Sequence, residues 1–510
     1  MEKLLIYIYC ILKLIVNGNI IATTTGPIRG KLVTEGNLHY YAYQGIPYAE
    51  PPEGSLRFLP PVPKTPWKSI LDVQEERQMC PQSEYRGDQM SEDCLFLNVY
   101  VPANNMETIP VLVFVPGGAF KQLSSHSDVY GPQMLLQRNV IVITMNYRLG
   151  ALGFLSLNTK EAAGNAGIKD VLLALKWVKS NVNRFKGDPN KITLGGNSAG
   201  SALVHYLLLS RKSTGLFQRA ILISGSALSY RFLALHPREN ALALAQELGF
   251  KTNNTNELLD KLKQVDAFDI IEAQENMGKG DNRKGYRPFS PFIPSIEIDN
   301  EDAIISEHPS DILRKGIPQN IPILVGANAQ EGLKMLPAAF KDPSLIEKLN
   351  DNFELCIPSN IEYPYGSKQS ELLATLIRDI YFNGDNICNK TIDKYVQLTG
   401  DTQFYYSIDS WIKLHKERKD SNNVFYYIFS YDGGLNWSKL SNNISYPGTC
   451  HSDELGYIFK TKITKEKLKN LNLNDQNMLD KMLNLLTNFI KYGGGHYGSV
   501  DWCTVNIERY

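Results

Sequence analysis

The 510 residues carry 53 Lys plus Arg against 53 Asp plus Glu, and no basic cluster interleaved with aromatics, which argues against nucleic acid or an anionic membrane surface as partner. Apolar residues make up 43% and charged residues 21%, enough for a sizeable packed core, and long low-complexity runs are absent. A globular protein follows, and length alone leaves open one large domain or several.

In chain order, Lys3 precedes the apolar stretch Leu4 to Val16, with permissive residues near Gly18. This pattern predicts a signal peptide over 1–18, removed on export, and not a membrane span. Residues 19–510 are then expected to form one domain in an extracellular protein without stable membrane insertion. Export agrees with four glycosylation triplets, which begin at Asn253, Asn389, Asn436 and Asn443. Of seven cysteines, Cys10 would leave with the leader. The remaining Cys80, Cys94, Cys356, Cys388, Cys450 and Cys503 show no metal-ligand spacing. Six thiols allow 15 pairings, and only Cys80 with Cys94 encloses a short polar loop. Cys450 reads equally well as a free buried thiol.

Apolar, β-branched runs recur at Val111 to Val115, Val140 to Met145, Lys191 to Leu194, Ala220 to Ile223 and Ile321 to Val325. They read as buried parallel strands. Helical segments lie between them, notably Ile168 to Val182 and Ala199 to Ser210, bounded by Gly, Pro and Asn-Ser signals. Alternation of strand and helix predicts an α/β fold with a mostly parallel central sheet flanked by helices. Polar stretches around Asn253, Asn350 and Asn422 read as surface insertions.

Chemistry concentrates at strand ends. The run ITLGGNSAGSALVHYLLL places Gly196-Asn197-Ser198-Ala199-Gly200 between a strand and a helix. A bare GxSxG occurs by chance, but in this setting it forms a strained turn that exposes the Ser198 hydroxyl at a helix N-terminus. The strand PVLVFV runs into Pro116-Gly117-Gly118-Ala119-Phe120. Amides of Gly118, Ala119 and Ala199 are therefore expected to face a developing oxyanion, each donor worth roughly 3 kcal/mol. An acid and then a His should follow the Ser in chain order. Glu331 lies just past IPILVG, where α/β sheets collect functional groups, and His451 lies in the polar turn GTCHSDE.

These motifs carry a resemblance. QGIPYAEPPEGSLRF, SEDCLFLNVYVP, NYRLGALGFLSL, FKGDPNKITLGGNSAGS, VGANAQEG and GTCHSDELGYIF stand in the order found in the type-B carboxylesterase and cholinesterase family, from Gly26 to Trp502. In character the chain is nearest to insect carboxylesterases. The resemblance implies an α/β-hydrolase fold with Ser198 as nucleophile, Glu331 as acid, His451 as base, and Gly118, Ala119 and Ala199 as oxyanion donors. It also implies a Cys80–Cys94 disulfide and a supporting Ser224 in LISGS. It calls for a small-molecule ester substrate, and for no metal or organic cofactor.

The chain departs from the family pattern where function is concerned. Pro116 stands for a usual His or Tyr, Ala119 for a third Gly, Asn197 for a Glu before the nucleophile, and Val171 for a Gln. Glu84 occupies the place of the Trp that cholinesterases use against a quaternary ammonium, so neutral esters are expected to be preferred. The chain also ends at Tyr510, where family members continue, as a shortened product would. Two further readings accompany the esterase: an adhesion-type member without strong catalysis, and a dedicated juvenile-hormone or pheromone esterase.

Overall fold

The computed structural model describes residues 19–83, 89–104, 107–252, 254–277, 290–342, 344–417 and 424–494. The leader 1–18, Asn253, Glu84, Asn422, Cys503 and Tyr510 lie outside these residues.

Twelve strands are described: β1 (Ile20–Ala22), β2 (Pro27–Arg29), β3 (Lys31–Glu35), β4 (Leu38–Pro47), β5 (Leu71–Asp72), β6 (Phe96–Pro102), β7 (Ile109–Val115), β8 (Ile141–Met145), β9 (Gly187–Asn197), β10 (Arg219–Ile223), β11 (Ile323–Asn328) and β12 (Val424–Phe429). Nine of them form one sheet in the order β12-β11-β10-β9-β7-β8-β6-β4-β3, beside a small sheet β1-β2-β5. Pairing is parallel from β12 to β8 and antiparallel from β8 through β6 and β4 to β3. This is the mostly parallel sheet expected from the runs of β-branched residues. The antiparallel β3, β4 and β6 went unread in the sequence because their mixed polar and aromatic residues lack such a run.

Strand periodicity divides the core. Val111, Val113 and Val115 of β7 point into one apolar cluster, and Leu112 and Phe114 point into a second on the opposite face. The helices Ala166–Asn181 and Ala199–Leu209 cover the first face, and Leu473–Tyr492 covers the second through Leu483, Leu486 and Ile490. A third, smaller cluster gathers Leu333, Leu349, Phe353, Ile377 and Val396. It lies in the region predicted as a polar insertion, and Asn350 there is half-buried, its side chain bonded to both the N–H and the carbonyl of Ile387.

Cys80 and Cys94 are joined by a disulfide. Cys356, Cys388 and Cys450 carry free thiols, and burial pushes the Cys450 thiol up to about 12. One expectation needs correction: Asn436 is 1% exposed, donates to Asp453 and accepts from the Gly433 N–H, so it offers no surface to a glycan. Asn389 and Asn443 are exposed. Among the described residues no helix is long and apolar enough to cross a membrane, and no cluster of His, Cys, Asp and Glu has the makings of a metal site.

Candidate active site

Four strands lead into the site, on the carboxyl side of the parallel sheet where helix and loop connections leave room for function. β9 runs longer than the predicted Lys191 to Leu194 and ends at Asn197, directly before Ser198. Ser198 sits at φ 56° and ψ −122°, outside the comfortable regions for an L-residue, and its carbonyl accepts from Ala202 in the first turn of Ala199–Leu209. The glycines around it are steric necessities. A Cβ on Gly196 would lie 2.5 Å from the carbonyl carbon of Gly200, and one on Gly200 would lie 2.2 Å from the Val115 oxygen.

Glu331 follows β11 and His451 follows β12, and the two loops are stitched together. Gln330 N–H donates to the Thr449 carbonyl at 3.0 Å, Thr449 N–H donates to Gln330 Oε1 at 2.8 Å, and Ala329 N–H meets Thr449 Oγ1 at 2.9 Å. His451 Nδ1 and Glu331 Oε2 consequently stand 2.6 Å apart, with Glu331 wholly buried. A carboxylate only accepts, so the imidazole donates from Nδ1 and leaves Nε2 as an acceptor for a hydroxyl proton. Ser224 Oγ at 2.5 Å and the Asn328 N–H at 2.8 Å both donate to Glu331 Oε1. Ser224, which the resemblance put beside the candidate site, is therefore in direct hydrogen-bond contact with Glu331.

The elbow and the His451 loop meet through Ser452, whose Oγ donates to Asn197 Oδ1 at 3.0 Å. Asn197 therefore keeps an acceptor toward the His451 loop without a carboxylate there. The ring of Phe404 packs on the His451 imidazole with centroids 4.5 Å apart, and the Arg231 guanidinium lies over the same Phe404 ring at 5.5 Å from its centroid. Phe404 belongs to a single π-helical turn, Asp401–Tyr405, a form of helix frequent at functional sites. Nothing in the local pattern around Phe404 pointed to the site, because its role depends on a fold contact 47 residues upstream of His451.

The loop after β7 approaches Ser198 from the other side: a Cβ on Gly117 would lie 3.3 Å from the Ser198 Cβ. Gly118, Ala119 and Phe120 have φ of 96°, 57° and 60°, three consecutive positive values that fold the chain back on itself, and the Lys121 and Gln122 N–H groups both donate to the Gly118 carbonyl at 3.0 Å. Tyr147 Oη donates to the Pro116 carbonyl at 2.9 Å, and the Gly117 N–H donates to Tyr130 Oη at 3.2 Å. Phe120 is fully buried against Phe154 and Phe232 at centroid distances of 5.1 and 5.6 Å, which anchors the turn. Pro116 precedes Gly118 and Ala119 in the chain, so its missing N–H removes neither of their donors.

A model of the carboxylesterase family matches residues 17–510. The chain belongs to that family. The esterase is 32% identical to a juvenile hormone esterase of Tribolium castaneum, over 96% of this chain and 86% of the relative. It is 34% identical to a carboxylic ester hydrolase of Bombus ignitus, over 95% of this chain and 87% of the relative. Among solved structures, the juvenile hormone esterase from Manduca sexta, with OTFP covalently attached, superposes with a TM-score of 0.81 at 31% identity, covering 93% of this chain and 90% of that one. The α/β-hydrolase architecture and the assignment as a serine carboxylesterase follow.

Proposed function

We propose that this esterase is secreted and hydrolyses neutral carboxylic esters through Ser198, His451 and Glu331. The observation that carries the reading is the 2.6 Å contact between His451 Nδ1 and buried Glu331, which leaves Nε2 available as a base. His451 takes the proton of Ser198 as its Oγ attacks the ester carbonyl, and Glu331 holds the imidazole tautomer and stabilises the imidazolium. The amides of Gly118, Ala119 and Ala199 hold the oxyanion of the tetrahedral intermediate. His451 returns the proton to the departing alcohol, and water, activated by the same base, then hydrolyses the acyl-enzyme.

Export rests on the leader pattern of residues 1–18, and exposed Asn389 and Asn443 are the glycan acceptors. Preference for neutral over cationic esters rests on Glu84, a carboxylate at the sequence position where the cholinesterase pattern has a Trp. The named activity of the Tribolium and Manduca relatives favours a juvenile-hormone-type ester as the narrower substrate class.

The test is turnover of p-nitrophenyl and naphthyl esters by purified protein, with Ser198→Ala beside it. Loss of roughly a millionfold in turnover is expected, together with loss of organophosphate labelling. Wild-type turnover by Ser198→Ala removes the assignment. A higher kcat/KM for acetylthiocholine than for a neutral thioester of the same acyl group removes the substrate preference.

A further inference from the structure

Behind the triad acid lies a second buried carboxyl that the mechanism above does not use. Glu454 is fully buried in the turn Asp453–Tyr457, three residues after His451. Its Oε2 accepts from Asn328 Nδ2 at 2.7 Å. Its other oxygen, Oε1, has no partner among the described residues, and neither has Asn328 Oδ1. Two side chains already joined at one point thus each present an orphaned acceptor, and two acceptors cannot satisfy each other without a proton.

We infer that Glu454 is held as the neutral acid, its Oε1–H donating to Asn328 Oδ1 to close a two-point acid–amide ring, and that this ring positions the triad acid Glu331. The connection runs through Asn328, whose backbone N–H donates to Glu331 Oε1 and whose side-chain nitrogen lies 3.5 Å from Ser224 Oγ. An acid–amide ring is planar and fixes Asn328 at both ends, so the residue that aims an N–H at Glu331 is held from its side chain as well as from β11. The inference rests on Glu331 being the acid of the triad.

The surroundings favour the neutral form. Glu331 and Asp453 face Glu454 with like charge, and from β12 the Tyr427 phenol faces it, with no partner of its own among the described residues. On the helices packed against the turn, Lys439 is committed to Asp432 and the Gly448 carbonyl, and Asp475 accepts from Gly434 N–H and Tyr431. Desolvation first, and Glu331 second, push the Glu454 carboxyl up from 4.5 to about 8. A raised folded value means that the folded state binds the proton more tightly. The stabilisation is complete below 4.5 and is lost as pH rises to about 8.

Glutamine mimics the neutral acid in this ring, since its amide donates where the acid proton does, whereas leucine keeps the volume and breaks both bonds. Glu454→Leu is expected to lower kcat about tenfold with little change in KM, and Glu454→Gln to restore it. The decisive reading needs no turnover. The infrared difference spectrum of native protein minus Glu454→Gln at neutral pH should contain the C=O band of a protonated carboxyl, and that band should fade in the native protein near pH 8. The melting temperature of the native protein should also fall more steeply than that of Glu454→Gln over the range from 4.5 to about 8. Absence of the protonated-carboxyl band, or a Glu454→Gln enzyme as impaired as Glu454→Leu, overturns the inference. Because the band is independent of hydrolysis, failure of the triad assignment would show separately, in an active Ser198→Ala enzyme.

Discussion

Two loops converge on Ser198, and they are held by opposite means. The loop from Pro116 to Phe120 is set by backbone conformation and apolar anchoring: three positive φ values, two tyrosine hydroxyls on main-chain groups, and one buried ring. The loop around His451 is set by polar side chains, Thr449 and Asp453 among them fully buried. Thr449 bridges to Gln330, and Asp453 accepts from the N–H groups of Cys450 and Lys439 and from Asn436. Burial pushes Asp453 up to about 6, with those three donors opposing the shift. Under the proposed mechanism the difference follows from the task. An oxyanion hole needs fixed N–H dipoles and no titrating group, whereas a general base needs a charged partner and a network that sets its tautomer. The first loop should therefore be sensitive to packing, and the second to charge and hydrogen bonding.

The largest expected effect falls on the polar side. Glu331→Gln keeps shape and volume but replaces the acceptor for Nδ1–H, and should cost about four decades of turnover while the melting temperature moves little. An unchanged rate in a folded variant would mean that another group orients His451, and the contrast between the loops would lose its basis.

On the apolar side, Phe120→Ala removes a fully buried ring that packs on Phe154 and Phe232 and should destabilise the protein by about 3 to 5 kcal/mol. On the proposed mechanism turnover should drop as well, because Phe120 anchors the turn that carries Gly118 and Ala119. Chemical denaturation and steady-state kinetics on the same sample measure both. Phe120→Leu, which keeps most of the volume, should recover most of each, and failure to recover turnover would argue for a contact of the ring with substrate.

The smallest effect sharpens the boundary between the two halves. Ser452→Ala deletes the hydroxyl that links the His451 loop to Asn197 and leaves both backbones in place. It should cost about 1 kcal/mol of stability and lower kcat only severalfold. A loss as large as that of Glu331→Gln would show that the Ser452 bond, and not the Thr449 to Gln330 stitching, holds the base in reach of the nucleophile.

Much of this site was legible along the chain. The GxSxG turn, the glycine loop after PVLVFV, the acid after IPILVG and the GTCHSDE turn each carry local signals, because tight turns at strand ends demand particular residues at particular offsets. Ser224 entered through the family resemblance, and the structure places its hydroxyl on Glu331. Asn436 shows the limit of a local motif. The triplet Asn436-Trp437-Ser438 satisfies the glycosylation pattern, yet the fold buries the amide against Asp453.

What the sequence determined by itself was periodic or local: the apolar runs of the parallel strands, the helices Ala166–Asn181 and Ala199–Leu209 to within a residue or two, and the order of the nucleophile, acid and base candidates. What only the tertiary structure decided were contacts between residues far apart in the chain. Among these are Phe404 against His451, the pairing of Asn328 with Glu454 across 126 residues, the burial of Asn436, and the antiparallel strands β3, β4 and β6 at one side of the sheet. Each depends on which surfaces meet when the sheet is covered. A one-dimensional pattern records turns and faces, but a buried polar pair is defined only by the partner that excludes water from it.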